Sequence, residues 1–373
     1  MKIGIAGYGK MGKDIFLLLF GRLPGADLTV ITRQGAEEKT AEIMDFLRKR
    51  LRRKMMTEEE YAQKTGSFAF TGDISELRDC DIVIEAICED MAAKKGFFAK
   101  AAQSVPEDCL LLTNTSSLCI SSVFENIPRR ERCFGMHFFY PVKLSGFTEL
   151  NLLPENTEDC VQRAESLIRA AGKEPIIFTE GSHMYLNQMI ACTVSHAIYL
   201  LGLLGASVSE LDDSLRELFP AAAPFEILDS IGPGLMSRAP GSFCADRNRA
   251  LLGYGSGKIK EWLTEGCPEG SRSFLDFMAE HGSASGADCG KAPLYMTAML
   301  LNETVNAAHS YNNDIPTLLG AVQDVLGLAG SPAGYYAHYG PETLFAALDE
   351  LYDRTGFLSY RHKDRDVWDG ILK

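Results

Sequence analysis

The feature that most constrains the fold is a glycine-rich turn that follows a short apolar strand, residues 2–6. The turn is the run Gly7-Tyr8-Gly9-Lys10-Met11-Gly12, and an apolar helix is predicted just after it, over residues 14–20. In this context Gly7 permits the tight turn, Gly9 lets the backbone approach a pyrophosphate, and Gly12 lets the helix pack closely on the strand. The helix N-terminus adds N–H donors and a favourable dipole for an anion. The pattern therefore predicts a dinucleotide-binding unit.

Strands alternate with helices through the first half of the chain. Buried strands are predicted over residues 28–31, 81–86 and 109–113, a helix over 91–102, and one or two polar helices over 37–63. This alternation predicts a parallel, doubly wound α/β sheet of the Rossmann type. From about residue 186 long apolar-periodic helices replace the strands, so an all-α helical region is expected to follow the sheet.

Ligands of such sheets bind at the carboxyl ends of the strands. Glu89 and the run Asn114-Thr115-Ser116 fall just after two predicted strand ends. Lys94 lies one turn into the helix that follows Glu89. We therefore expect Glu89, Lys94 and Asn114 to contact the dinucleotide, together with the glycine turn.

The end of the second predicted strand bears on which dinucleotide is bound. An acidic residue there would bind the ribose 2′-hydroxyl of NAD. This strand ends instead in Thr32-Arg33-Gln34. A hydroxyl and a guanidinium suit a 2′-phosphate better than a bare diol, so the sequence favours NADP, with Thr32 and Arg33 as contacts. The alternative is that Arg33 is solvated or stacks on the adenine and that NAD is used.

Composition excludes several classes of function. The chain has 373 residues, 46% hydrophobic and 23% charged, as in a soluble globular protein of two or three domains. Its net charge of −13 argues against a general binder of nucleic acids or membrane surfaces. The ten cysteines form no CxxC pair, and no histidines near them have zinc-site spacing, so no metal is expected. No apolar run reaches the length of a membrane span, and no signal or transit peptide is expected, so a cytoplasmic protein with free thiols is the simplest interpretation.

Several segments, ordered and spaced alike, resemble the 3-hydroxyacyl-CoA dehydrogenase family as far as about Gly234. They are the glycine turn, Ile82-Val83-Ile84-Glu85-Ala86-Ile87-Cys88-Glu89-Asp90, Asn114-Thr115-Ser116-Ser117-Leu118, Gly135-Met136-His137-Phe138-Phe139 with Glu149, Leu186-Asn187-Gln188, and Ala223-Pro224-Phe225-Glu226-Ile227-Leu228-Asp229. The resemblance implies a nicotinamide-dependent enzyme of fatty acid metabolism. It would interconvert a 3-hydroxyacyl thioester and its 3-keto form by hydride transfer.

The resemblance also implies roles for four residues. His137 corresponds to the general base or acid, and Glu149 to the glutamate that holds it. A carboxylate on one ring nitrogen would fix the tautomer of the imidazole and raise its basicity. Ser116 corresponds to the serine that binds the oxygen alternating between alcohol and ketone. Asn187 corresponds to a helical asparagine that orients the substrate carbonyl or the histidine.

A dense basic run, Arg48-Lys49-Arg50-Leu51-Arg52-Arg53-Lys54, lies in the predicted polar helices. Like charges so close together repel one another unless an anion is nearby. Arg53 falls near the family's carrier-phosphate lysine, so Arg52 and Arg53 are expected to bind the phosphate of coenzyme A or of a carrier-bound phosphopantetheine. The alternative is a solvated helical face.

The helical half contains a weak internal sequence repeat. Residues 307–326 parallel 197–219, and residues 331–335 parallel the region around residues 223–225. Larger relatives in the resembled family carry two tandem copies of the helical domain. We therefore predict domains over residues 1–181, 182–285 and 286–373. The second copy would cover an apolar surface that single-copy relatives use to dimerise, which favours a monomer, or a homodimer that uses another face.

Three functions are in competition. The first is the 3-hydroxyacyl thioester dehydrogenase. The second is a dehydrogenase of a small free hydroxy acid, since the segment over residues 143–147 departs from the family pattern and Lys143 could pair with a carboxylate. The third is a non-catalytic nucleotide-binding structural or sensor protein, because a fold does not imply a function. The pairing of His137 with Glu149 disfavours the third.

Overall fold

Eight short strands form a single sheet in the first half of the protein, in a computed structural model that describes residues 1–179, 184–238, 246–281, 286–311 and 314–373. The strands are β1 (Lys2–Ala6), β2 (Asp27–Ile31), β3 (Phe68–Thr71), β4 (Ile82–Glu85), β5 (Leu110–Thr113), β6 (Cys133–Phe138), β7 (Phe147–Asn151) and β8 (Glu174–Phe178). Their order across the sheet is β3-β2-β1-β4-β5-β6-β7-β8. Every neighbouring pair is parallel except β6 and β7, which are antiparallel.

Helices connect the strands and cover both faces of the sheet. They are α1 (Lys10–Arg22), α2 (Ala36–Arg52), α3 (Glu58–Gly66), α4 (Met91–Ser104), α5 (Ile120–Val123) and α6 (Glu158–Ala170). Successive strand residues point to opposite faces. Ile3 and Ile5 therefore belong to one buried cluster with Phe16 of α1, while Val83 and Leu111 belong to a second cluster on the other face. The central strands β4, β5 and β6 are buried along their whole length, which explains their nearly continuous apolar sequence, whereas the edge strand β3 is only partly buried.

The second half is helical throughout its described residues. Its helices are α7 (Tyr185–Leu204), α8 (Val208–Ser214), α9 (Pro224–Ile231), α10 (Pro233–Met236), α11 (Arg249–Thr264), α12 (Phe274–His281), α13 (Ala292–Tyr311), α14 (Ile315–Leu326), α15 (Pro332–Tyr339), α16 (Pro341–Thr355) and α17 (Arg365–Leu372). The Rossmann-type doubly wound sheet followed by an all-α region, as predicted from the sequence, is thus confirmed. The predicted polar region over residues 37–63 forms two helices, α2 and α3.

The chain divides into two compact units, Met1–Met184 and Tyr185–Lys373. The second unit covers the described residues of both predicted helical domains except Met184. The predicted boundaries at 181/182 and 285/286 fall on or beside residues outside the described ranges, and the three-domain division stays a prediction. Helix α7 is long and apolar enough to span a membrane, but 67% of its most apolar window is buried inside the protein, as in the core helix of a folded domain.

Candidate active site at the carboxyl edge of the sheet

The glycine turn has the geometry that phosphate binding requires. Gly7 has φ +96°, and a Cβ there would overlap the backbone carbonyl of Ala86. A Cβ on Gly12 would overlap the carbonyl oxygen of Gly7. A Cβ on Gly9, in contrast, would meet no atom within 4 Å. Protein atoms therefore leave no room for a side chain at Gly7 or Gly12, whereas the space beside Gly9, the N-cap of α1, is empty. This space fits a pyrophosphate that approaches the N–H groups at the start of α1. Of the turn's other residues, Lys10 is exposed and Met11 packs against the core.

At the end of β2, Thr32 and Arg33 differ in their exposure to solvent. The Thr32 side chain is almost buried, and its hydroxyl donates a hydrogen bond of 3.0 Å to the carbonyl of Gln34. Arg33 is exposed. Gly35 follows with φ +68°, and α2 then begins. The guanidinium is thus the accessible group at this strand end, while the Thr32 hydroxyl already holds the turn together.

Glu89 organises the loop that follows β5. Its Oε1 accepts hydrogen bonds from the Thr115 hydroxyl at 2.6 Å and from the backbone N–H groups of Ser116 and Ser117 at 2.7 and 2.9 Å. The hydroxyls of Ser116 and Ser117 lie at 3.1 Å from the same oxygen. A carboxylate oxygen offers about two lone pairs. The two longer contacts are consequently the weakest.

Charge around Glu89 favours its ionised form. Burial raises the pKa of this carboxyl, but the Lys94 ammonium and the hydrogen bonds from Thr115 and Ser116 outweigh burial and leave the pKa below its usual value. Lys94 Nζ lies 3.3 Å from Glu89 Oε2. Lys94 is held in place because Asp90 caps α4, accepting a hydrogen bond of 2.8 Å from the Ala93 N–H. The sequence-predicted pair of Glu89 and Lys94 is therefore brought together.

Glu85 is a buried carboxylate at this edge of the sheet to which the sequence analysis gave no role. It is the last residue of β4, has no exposed surface, and accepts hydrogen bonds from Lys94 Nζ at 2.6 Å and from the Thr113 hydroxyl at 2.7 Å. The Ile87 N–H also donates to it at 2.7 Å. The sequence did contain a signal for this pair. Glu85 ends an otherwise apolar strand, and a buried charge needs a partner, which Lys94 provides nine residues later.

His137 and Glu149 lie directly opposite each other on β6 and β7. Opposite residues on antiparallel strands have their side chains on the same face, with Cβ atoms roughly 4.5–5.5 Å apart. Asn151, two residues along β7, donates a hydrogen bond of 3.1 Å from Nδ2 to Glu149 Oε1. Phe139 packs edge-on against the His137 ring, with the centroids 4.8 Å apart. The fold thus pairs the predicted base with the predicted carboxylate, and it adds Asn151, which the sequence did not single out.

Burial dominates the protonation of His137. The side chain is 6% exposed, and burial lowers the pKa of the imidazole to about 4, while Glu89 acts upward and Lys94 downward. This direction is opposite to the raised basicity expected from a neighbouring carboxylate, because the loss of water around the ring disfavours the charged form. At neutral pH the ring is uncharged and can accept a proton.

The other predicted residues lie in three places. Asn114 is buried after β5, and its Oδ1 accepts a hydrogen bond of 2.9 Å from the Phe138 N–H at the end of β6, which joins the two strand ends. Asn187 is partly buried in the first turn of α7, in the second unit. Arg52 and Arg53 are exposed, at the last residue and the C-cap of α2. Cations there also suit the helix dipole, so position alone does not establish a phosphate site.

Known proteins resemble the chain in sequence and in fold. Residues 2–181 match the family model "3-hydroxyacyl-CoA dehydrogenase, NAD binding domain". The fatty acid oxidation complex subunit alpha of Shewanella baltica is 29% identical over 202 residues, which cover 54% of this chain and 28% of that protein. The corresponding subunit of Idiomarina loihiensis is 28% identical over 233 residues, covering 62% and 33%. The chain therefore spans about a third or less of the length of these curated relatives.

Two solved structures show the same fold. The 3-hydroxybutyryl-CoA dehydrogenase of Escherichia coli superposes with a TM-score of 0.77 at 18% identity, covering 100% of this chain and 98% of that one. The (S)-3-hydroxybutyryl-CoA dehydrogenase of Ralstonia eutropha gives a TM-score of 0.61 at 22% identity, covering 71% and 94%. These two likenesses show the fold, and the match of residues 2–181 confirms the resemblance noted in the sequence: that part of the chain is an NAD-binding domain of the 3-hydroxyacyl-CoA dehydrogenase family.

Proposed function

We propose that this protein interconverts a 3-hydroxyacyl thioester and the corresponding 3-ketoacyl thioester, with hydride transfer to or from a nicotinamide dinucleotide. The observation that carries the proposal is the placement of His137 opposite Glu149, on the strand next to the Ser116 loop. A base, a carboxylate that orients it and a hydroxyl that binds the reacting oxygen are the groups such a proton transfer needs. The NAD-binding domain match and the names of the relatives support the same reaction.

The chain's own residues supply the proton chemistry. In the oxidation direction, neutral His137 takes the proton of the substrate 3-hydroxyl while Ser116 holds the oxygen. Glu149 then stabilises the imidazolium that forms. In the reduction direction, protonated His137 would give its proton to the oxygen at C3. A bound nicotinamide would accept the hydride in the first direction and supply it in the second. Burial of His137 keeps bulk water away from this exchange.

The cofactor would contact the glycine turn, including Lys10 and Met11, and then Glu89, Lys94 and Asn114 along the carboxyl edge. The domain is of the NAD-binding type. We further propose a preference for NADP over NAD, which is supported by the exposed Arg33 guanidinium at the end of β2 and the absence of an acidic residue at that strand end. Thr32 would contribute through the turn that its hydroxyl stabilises rather than through a new contact.

The acyl carrier is proposed to be coenzyme A or a carrier-bound phosphopantetheine. Support comes from the cluster of exposed cations at the C-terminal end of α2. Its Lys49 is paired with Asp45 at 2.7 Å, while Arg52 and Arg53 are the exposed cations that follow in the sequence. The exposure of both arginines supports a role for them in binding the carrier phosphate.

Features of the second unit support a tandem duplication. Helices α7 and α13 each have 20 residues. Helices α9 and α15 each have eight residues and begin with proline, at Pro224 and Pro332. Each of these two ends at a glycine with positive φ, Gly232 or Gly340, and another proline-initiated helix follows. We propose that two copies of one helical domain lie in tandem and that the protein is a monomer or a homodimer. The nine cysteines of the described residues are free, which fits the proposed cytoplasmic location.

A spectrophotometric screen tests the reaction. The purified protein would be assayed with NADH and with NADPH against acetoacetyl-CoA, longer 3-ketoacyl-CoAs and small free keto acids. We expect turnover of the thioesters, and a loss of roughly 10²–10⁴-fold in the His137→Gln variant with dinucleotide affinity retained. Turnover of free keto acids alone would instead establish the hydroxy-acid dehydrogenase. Dinucleotide binding without any turnover would establish a sensor or structural role.

A further inference from the structure

Two exposed residues from distant parts of the first unit meet at the carboxyl edge of the sheet. The ammonium of Lys10 lies 3.7 Å from the centroid of the Tyr140 ring, the geometry of a cation–π interaction. Lys10 is the first residue of α1, directly after Gly9. Tyr140 follows β6, is 54% exposed, and comes directly after Phe139, which packs on the His137 ring.

The contact between Lys10 and Tyr140 crosses two strands of the sheet. Lys10 follows β1 and Tyr140 follows β6, and β4 and β5 lie between those strands in the sheet. Since adjacent strands are about 4.8 Å apart, β1 and β6 are about 14 Å apart along the sheet edge, and the two side chains together bridge that distance. It therefore passes over the carboxyl ends of β4 and β5, whose following segments carry Glu89 and Asn114. These are the residues proposed to hold the dinucleotide.

We propose that Lys10 and Tyr140 form a clasp over the bound dinucleotide and determine how firmly it is retained. The inference rests on the proposed function, because it takes the dinucleotide to lie along this edge. The Lys10 ammonium stands beside the N-terminus of α1, where it can attract a pyrophosphate while it holds the face of the Tyr140 ring. The ring then covers the cofactor from the side of the catalytic strand. Tyr140 is thereby a positioning residue for the cofactor.

A double-mutant cycle on dinucleotide affinity tests the clasp. NADH and NADPH binding would be measured by the fluorescence of the reduced nicotinamide, and release rates by stopped flow, for the wild type, Tyr140→Ala, Lys10→Met and the double variant. A cation–π contact at an exposed site contributes about 0.5–1 kcal/mol, so Tyr140→Ala should raise Kd about two- to fivefold through faster release. In the Lys10→Met background the same change should alter Kd by less than about 1.5-fold, because the partner is already gone.

Two further variants sharpen the test. Tyr140→Phe keeps the ring face and should retain the wild-type affinity. Leu144→Ala changes another exposed apolar side chain of the same segment, 78% exposed, and should leave dinucleotide affinity unaltered. Because Lys10 and Tyr140 are both exposed, all variants should have the thermal stability of the wild type.

The outcomes separate this inference from the proposed reaction. If Tyr140→Ala bound the dinucleotide as tightly as the wild type or more tightly, the clasp would be overturned. Tighter binding would mean that the contact between Lys10 and Tyr140 blocks the site. An undiminished effect of Tyr140→Ala in the Lys10→Met background would overturn it as well. Normal dinucleotide binding with the expected coupling, but no turnover of any 3-ketoacyl thioester, would leave the clasp standing and remove the proposed reaction. A wild-type protein that binds neither NADH nor NADPH would overturn both.

Discussion

Lys94 Nζ donates a hydrogen bond of 2.6 Å to Glu85 Oε1, and the two side chains are 1% and 0% exposed. The pair lies directly beneath the loop of Glu89, which Lys94 also contacts. Glu85 accepts a further hydrogen bond from Thr113, on the neighbouring strand. One buried carboxylate thus connects β4, β5 and α4 under the proposed cofactor site.

Glu85→Gln should strongly destabilise the first unit. Removing the nearer partner of the buried Lys94 leaves its ammonium with only the longer contact to Glu89, and the free energy of unfolding should fall by about 3–5 kcal/mol in urea titrations. Thr113→Val, the matched control, removes one hydrogen bond to the same carboxylate and should cost about 1.5–3 kcal/mol. The double variant Glu85→Gln/Lys94→Met should recover most of the loss. Equal effects of Glu85→Gln and Thr113→Val would contradict this account.

The pH dependence of oxidation should reflect the buried imidazole. His137 acts as a base only when neutral, and burial lowers its pKa to about 4, so kcat/KM for 3-hydroxyacyl oxidation should be lost as the pH falls through about 4. A solvated histidine would give this acid limb near pH 6.5. The measurement is a series of initial rates at different pH values, with protein stability checked at each pH. An acid limb near 6.5 would mean that His137 is better solvated than the structure indicates.

Two glycines of the same turn should respond differently to alanine. Gly12→Ala places a methyl group against the Gly7 carbonyl and should destabilise the fold by about 1–3 kcal/mol. Gly9→Ala meets no protein atom within 4 Å, so stability should be nearly unchanged, while Kd for NADH should rise about tenfold or more because the methyl group occupies pyrophosphate space. Thermal unfolding and fluorescence titration separate the two effects. Normal NADH affinity in Gly9→Ala would place the cofactor elsewhere.

Arg33→Asp should shift cofactor preference toward NAD. The change removes a donor for the 2′-phosphate and introduces repulsion, so the ratio of kcat/KM for NADPH to that for NADH should fall about tenfold or more. Gln34→Ala, at the neighbouring exposed position, serves as the control and should leave the ratio close to that of the wild type. An unchanged ratio in Arg33→Asp would show that the guanidinium does not bind the 2′-phosphate.

Neutralising Arg52 and Arg53 should weaken binding of coenzyme A substrates. The double variant Arg52→Gln/Arg53→Gln should raise KM for acetoacetyl-CoA several-fold, and the effect should shrink at high salt, since exposed charges are screened. Lys49→Gln removes a cation of the same helix that is already paired with Asp45, and it should have little effect. KM values at low and high ionic strength provide the readout. A KM that does not respond to the double variant would place the carrier phosphate away from α2.

Local patterns made much of this protein predictable. The glycine turn, the apolar strands and the later helical periodicity determined a Rossmann-type sheet followed by a helical region, because strand and helix formation depend on residues close in sequence. The resemblance of the run ending at Phe139 to the family's pattern marked His137 as the candidate base. The exposed arginines at 33, 52 and 53 were visible as charges, although their ligands are still proposals.

Tertiary structure alone decided which side chains meet. The antiparallel register of β6 and β7 sets His137 opposite Glu149, and the burial of that position lowers the pKa of His137, where sequence reasoning expected it to rise. The order of the strands brings Lys10 to Tyr140 and Glu85 to Thr113. Such contacts depend on strand order, register and the exclusion of water, and the periodicity of a single sequence carries none of these three.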